Sequence, residues 1–172
     1  FPSIGAEGGA FYHIMSSPIS IRQFLLYKYL FYVIPFTFLS LTLVIISNRI
    51  LHIEGPMWWI SIFTNLFITW IVVALALGFG AVYADFKSEN KTVTMGSMGA
   101  IMFLLTATAL QVVIIFIGSS PVYRIVRRWL NDHVLNLSDL YFLSAWVIIS
   151  VVISLGLVIY YFRKGIHMLG NL

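Results

Sequence analysis

The histidines and acidic residues of this sequence are the side chains best suited to metal binding or acid–base chemistry. Four histidines lie far apart along the chain, at His13, His52, His133 and His167. No H-E-x-x-H run places two of them on one helix face, and no G-x-S-x-G run offers a nucleophile. The sequence has no cysteine, which excludes a thiolate metal site and a cysteine nucleophile. We therefore predict no catalytic residue, metal site or cofactor site in this chain.

Phosphate-binding patterns are also missing from the sequence. No G-x-x-x-x-G-K-[ST] run is present, and Gly78-Phe79-Gly80 follows an apolar helix, whereas a dinucleotide fingerprint follows a strand. The charges of Asp85, Lys87, Glu89 and Lys91 are close enough to suggest a catalytic pair, but a solvated turn between two helices explains them better.

Two amide side chains, Asn65 and Gln111, interrupt long apolar stretches near their middles. In a membrane such residues usually hydrogen-bond a neighbouring helix. A contact with a transported substrate is the alternative interpretation. Small residues spaced by four, such as Ala76 and Gly80, predict close contacts between helices.

Four stretches that could carry these residues across a membrane contain no Asp, Glu, Lys, Arg or His. Hydrophobic residues make up 60% of the chain and charged residues only 9%, against about 25% charged in soluble proteins. A crossing helix needs about 20 apolar residues. We therefore predict an all-α, polytopic membrane protein whose transmembrane domain covers residues 29–172. Its four spans are Tyr29–Asn48, Met57–Val82, Met95–Gly118 and Leu140–Phe162.

Two segments outside the spans are amphipathic. Ser17-Pro18 is typical of a helix start, and Ile21, Phe24 and Leu25 then give one apolar face, which predicts an interfacial helix leading into the first span. Ser120-Pro121 similarly predicts the start of an outer amphipathic helix over about residues 120–136. Its polar face carries three arginines, which either bind lipid headgroups or belong to a purely structural lid: Arg124, Arg127 and Arg128.

The charges flanking the spans predict the topology. Six cations fall on the side of the two termini and four on the other side, which favours cytoplasmic termini. The net charge of +4 is spread over span ends, so we expect no nucleic-acid partner. The spans lack ionisable residues, which disfavours an ion-coupled transporter. No basic segment precedes a cleavable apolar stretch, so we expect no signal peptide, and we expect the sequence, which begins at Phe1, to be part of a longer protein.

Several runs resemble a known family. Glu7-Gly8-Gly9, the run from Met15 to Ser20, and Lys28 before a long span are similar to the signature of type-2 ABC exporter permeases. The opening residues and the link from Gly80 to Asn90 resemble a large, multi-spanning bacterial branch of that family. Ala84 departs from the proline often found before the Asp-Phe pair of this link.

The resemblance implies the C-terminal portion of an ATP-driven exporter permease in the bacterial plasma (inner) membrane. Residues 1–28 would be a cytoplasmic coupling segment, with Glu7, Gly8 and Pro18 meeting a separate ATP-binding cassette subunit that binds ATP and magnesium. A second permease half or a homodimer partner would complete the pathway. The alternatives are a non-transport scaffold or assembly protein and, with less support from the sequence, an intramembrane enzyme.

Overall fold

Four long helices make up the computed structural model of the protein, which describes residues 20–83, 98–131 and 137–170. Helix α1 covers Ile21–Ile50, α2 covers Pro56–Val82, α3 covers Met98–Leu130 and α4 covers Leu137–Gly170. The described residues contain no strand. The predicted all-α fold is confirmed, because each of the four helices is long and apolar enough to cross a membrane.

All four helices exceed the thickness of a bilayer core. They contain 30, 27, 33 and 34 residues. At about 1.5 Å per residue they measure roughly 40–51 Å, against about 30 Å for the hydrocarbon core. Each helix is therefore long enough to span such a core with turns to spare at its ends.

A capping box begins α1. The Gln23 backbone N–H donates to the Ser20 hydroxyl at 3.3 Å, and the Ser20 backbone N–H donates to the Gln23 side-chain oxygen at 3.1 Å. This pair satisfies two donors that the first helical turn would leave free. Ile21, Phe24 and Leu25, which form the apolar face of the predicted interfacial helix, lie in the first turns of α1. Ser17 and Pro18 lie outside the described residues.

Helix α3 departs from the prediction at Ser120-Pro121. We predicted a separate outer helix there, but α3 continues through Pro121 to Leu130. Ile114, Gly118, Pro121 and Ile125 are all buried and fall on one face. Packing along this uninterrupted face compensates for the N–H that proline lacks, and membrane helices tolerate such a proline.

Helix α2 lies at the centre of the bundle and packs against the other three. Its contact with α4 is close because small residues line it. A Cβ on Gly165 would lie 2.6 Å from the Ala81 side chain, and a Cβ on Gly78 would lie 3.0 Å from Tyr161. These pairs run in the same chain direction, so α2 and α4 are parallel. Small residues of this kind let two membrane helices approach.

Two apolar clusters pack one end and the middle of the bundle. The first joins the start of α1 to the ends of α2 and α4 around buried Leu25 and Ala81. The second joins α2, α3 and α4 around Leu75, Ile114 and Trp146. Helix α1 contributes to the first cluster only, so its middle turns lie at the edge of the bundle.

Candidate functional site

A groove between α1, α2 and α3 is the candidate site, and we call it the central groove. Its volume is about 750 Å³. The two amides that the sequence singled out, Asn65 on α2 and Gln111 on α3, both line it, together with Ser40 on α1. Aromatic and aliphatic side chains form the rest of the wall, among them Tyr32, Phe36, Leu39, Leu43, Val72, Val73, Leu77 and Phe103.

Asn65 joins α2 to α1 across the groove. Its side-chain N–H donates to the backbone carbonyl of Ser40 at 3.1 Å. One turn further on, the Thr69 hydroxyl donates to the Asn65 carbonyl at 2.8 Å. Trp70 adds a second link, because its indole N–H donates to the Thr37 hydroxyl at 2.9 Å. Polar bonds therefore hold the middle of α1, where buried apolar residues are missing.

Gln111 differs from Asn65 in having no partner among the residues that the structure describes. Its side chain is half-buried in the groove wall and makes no hydrogen bond to any other described residue. An unpaired amide at this depth favours hydrogen bonding to water or to a bound molecule, since hydrocarbon offers no partner. The groove can therefore accept an apolar molecule that carries at least one hydrogen-bonding group.

An ion pair joins α3 and α4 at the opposite end of the bundle from the α1 start, which we call the loop end. The Arg128 guanidinium contacts the Asp139 carboxylate at 2.9 Å. The Arg124 guanidinium lies 4.4 Å from the centre of the Phe142 ring, close enough for a cation–π interaction. Two of the three arginines on the predicted polar face therefore contact α4. Arg127 is exposed.

The turn between α1 and α2 also reaches the loop end. Gly55 has φ of 63°, a left-handed conformation that favours glycine. The Trp129 indole covers Gly55 so closely that a Cβ there would lie 2.4 Å from the ring. Both the backbone angle and the space therefore require glycine, and the end of α3 is fixed against this turn.

The sequence did not single out two of the structural contacts. Asp139 precedes the predicted fourth span, yet it occupies the first turn of α4 and its side chain is buried. Trp146 is buried against Gly118, and its indole N–H donates to the Ile114 carbonyl at 2.9 Å. An acid just before an apolar stretch is a weak sequence signal for the contact made by Asp139. The sequence carries no comparable signal for the contact made by Trp146.

The residues predicted to contact an ATP-binding subunit, Glu7, Gly8 and Pro18, lie outside the described residues. Their role therefore stays a prediction. Among the residues that the structure describes, no group of three or more His, Asp or Glu side chains is close enough to hold a metal ion.

The fold and the groove define an α-helical protein with four candidate membrane spans. A family model described as "putative ATP-binding cassette" matches residues 1–172. The chain belongs to this family, which relates it to ABC transporters. The description names ATP binding and does not mention a permease. Neither the curated proteins nor the solved structures include a match to the chain.

Proposed function

We propose that this chain is a membrane-spanning permease part of an ABC exporter and that a separate subunit hydrolyses the ATP. The observation that carries the proposal is that a chain whose residues 1–172 match a family related to ABC transporters is built around four helices long and apolar enough to cross a membrane. Such helices suit a transport pathway. The sequence has no phosphate-binding loop of the G-x-x-x-x-G-K-[ST] type, so the proposal assigns ATP and magnesium to the partner.

The central groove is the part of the chain that we assign to the pathway. It places Asn65 and the unpaired Gln111 within one largely apolar wall. In this proposal α1 moves to open and close the groove. The middle of α1 is held by hydrogen bonds and lacks buried apolar residues, which fits such a movement. The energy for this movement would enter at the end of the bundle where α1 starts, through residues 1–28 with Glu7, Gly8 and Pro18. Such a transfer is a rigid-body coupling between subunits.

The proposed location is the bacterial inner membrane, with the ends of this segment on the cytoplasmic side. The uneven distribution of cations supports this orientation. In the same orientation the loop end, with Arg124, Arg127 and Arg128, faces the outside. The groove is open on one side, which supports a second permease half or a homodimer partner as the missing wall.

Co-purification tests the coupling part of the proposal. The intact protein, isolated from its membrane, should bring an ATPase with it, and Glu7→Lys or Pro18→Gly should abolish that association. Asp132→Lys makes a charge reversal in the segment assigned to the outer side, and we expect it to keep the ATPase. Wild-type protein without an associated ATPase would contradict the proposal and favour a scaffold. ATP bound by the purified chain alone would favour an ATP-binding component.

Thiol labelling tests the groove. The 172 residues contain no cysteine, so single cysteines can be introduced one at a time. A small charged thiol reagent should label Gln111→Cys, because water reaches the groove during transport. Thr108→Cys is the matched control, since Thr108 is exposed on α3 and does not line the groove. Equal protection of both cysteines from the reagent would show that the groove is not a water-accessible pathway.

A further inference from the structure

Two clefts at the loop end meet at one residue, Trp59. The first, which we call the polar cleft, has a volume of about 650 Å³ and is formed by the end of α1, the turn and the start of α2. The second, the apolar cleft, has a volume of about 510 Å³ and lies between α2 and α4, with one residue of α3 in its wall. Trp59 lines both, so the two clefts form one continuous surface.

The polar cleft contains one charge of each sign. Arg49 and Glu54 both line it, both are exposed, and neither forms an ion pair with another described residue. The Arg49 guanidinium lies 5.4 Å from the centre of the Trp58 ring, which positions the cation at the cleft wall. Helix α2 also begins here without a side-chain cap, which favours an anion nearby. The cleft thus fits a group that carries a phosphate and a cation.

The nature of that cation follows from the same residues. Arg49 lies over the Trp58 ring and would compete with a quaternary ammonium for that face. Glu54 offers carboxylate oxygens, which accept hydrogen bonds from an N–H group. A primary ammonium can donate such bonds, whereas a quaternary one has no N–H. The cleft therefore fits a primary ammonium better.

The apolar cleft continues from this point toward the middle of the bundle. Along α2 it runs from Trp59 to Trp70, a distance of about 16 Å at about 1.5 Å per residue. Its wall is aromatic and aliphatic except for Thr64 and Ser150. The Ser150 hydroxyl is buried without a hydrogen-bond partner in the described residues, so the cleft floor holds no polar network for a polar ligand to join. An extended hydrocarbon chain matches this shape and chemistry.

We propose that the two clefts together hold one phospholipid molecule whose headgroup carries a phosphate and a primary ammonium. Arg49 binds the phosphate, Glu54 binds the ammonium, and one acyl chain lies in the apolar cleft. The aromatic ring of Trp59 separates head from tail at the depth where such rings are favoured. This site lies at the loop end, with its polar part on the end of α1, the turn and the start of α2 and its apolar part mainly between α2 and α4. It does not depend on the transport proposal.

Lipid competition tests the headgroup assignment. The full-length protein is placed in nanodiscs with equal amounts of phosphatidylethanolamine, phosphatidylcholine and phosphatidylglycerol that share the same acyl chains. Lipids that stay bound after mild extraction are then counted by native mass spectrometry. We expect phosphatidylethanolamine to be enriched at least about threefold over each of the others, as one additional exposed charge contact would produce.

Charge-matched variants assign the contacts. Glu54→Gln should remove the preference for phosphatidylethanolamine over phosphatidylglycerol, because the headgroup loses its partner and the repulsion of an anionic lipid is relieved. Arg49→Gln should weaken retention of both lipids. Arg127→Gln is the control: it changes the net charge as Arg49→Gln does, at the same end of the bundle. Because Arg127 does not line the cleft, the Arg127→Gln variant should behave as wild type.

A pair of valines on α4 tests the acyl chain. Val147 lines the apolar cleft and is 47% exposed, whereas Val152, at 64% exposed, does not line it. Val147→Trp should fill the cleft from its mouth and abolish lipid retention, and Val152→Trp should not. Wild-type protein that retains the three lipids in equal amounts would overturn the proposal. So would equal retention by the two tryptophan variants, with circular dichroism confirming that both are folded.

Discussion

Replacing Arg128 by glutamine removes the ion pair that joins α3 to α4 at the loop end. The Asp139 side chain is only 3% exposed, whereas that of Arg128 is 32% exposed. Removing Arg128 therefore has a different consequence from removing Asp139. Without Arg128, a buried carboxylate loses one of its partners. Without Asp139, a partly exposed guanidinium can still turn to water.

The expected cost follows from this difference in burial. A hydrogen bond to a charged group contributes about 1.5–3 kcal/mol. Asp139 keeps about 0.3–1 kcal/mol from its place in the first turn of α4, where the helix dipole favours an acid. We therefore expect Arg128→Gln to destabilise the protein by about 2 kcal/mol and Asp139→Asn by about half of that.

Thermal unfolding of the purified protein in detergent measures the effect. In a chain of this size, a loss of about 2 kcal/mol corresponds to a decrease in Tm of roughly 4–8 °C. Arg127→Gln is the control, because Arg127 is exposed and substitutions at such positions usually change stability by less than about 0.5 kcal/mol. A double-mutant cycle should give a coupling energy of at least about 0.5 kcal/mol between the partners. Equal Tm values for Arg128→Gln and Arg127→Gln would refute the reasoning.

Three further predictions concern packing inside the bundle, and each is checked by the same Tm measurement. Gly118→Ala should destabilise by about 1–3 kcal/mol, because its Cβ would lie 2.5 Å from the Trp146 indole, whereas Gly156→Ala should cause no loss since nothing lies within 4 Å of its Cβ. Trp146→Phe should cost at least about 1 kcal/mol through the lost bond to the Ile114 carbonyl. Leu25→Ala should cost about 2–5 kcal/mol, and Leu26→Ala, at an exposed neighbouring position, much less. An equal response within either matched pair would contradict the packing described.

Hydropathy predicted the helices better than it predicted where they end. The second span was predicted as Met57–Val82 and observed as Pro56–Val82, because a proline and a glycine mark its start. The third was predicted to stop at Gly118, yet α3 continues to Leu130. Ser120-Pro121 has the same appearance in a helix start as in a helix interior. Only the packing of Gly118 and Pro121 against the rest of the bundle distinguishes the two.

The two groove amides show the same limit for the candidate site. Asn65 and Gln111 are equivalent in the sequence, since each is one amide in a long apolar stretch. In the structure, Asn65 reaches the Ser40 carbonyl while Gln111 has no partner among the described residues. The difference arises because α1 packs closely against α2 but leaves a gap toward α3. A pairing that depends on the spacing of three helices cannot be deduced from one of them, and the unpaired member identifies the open face of the groove.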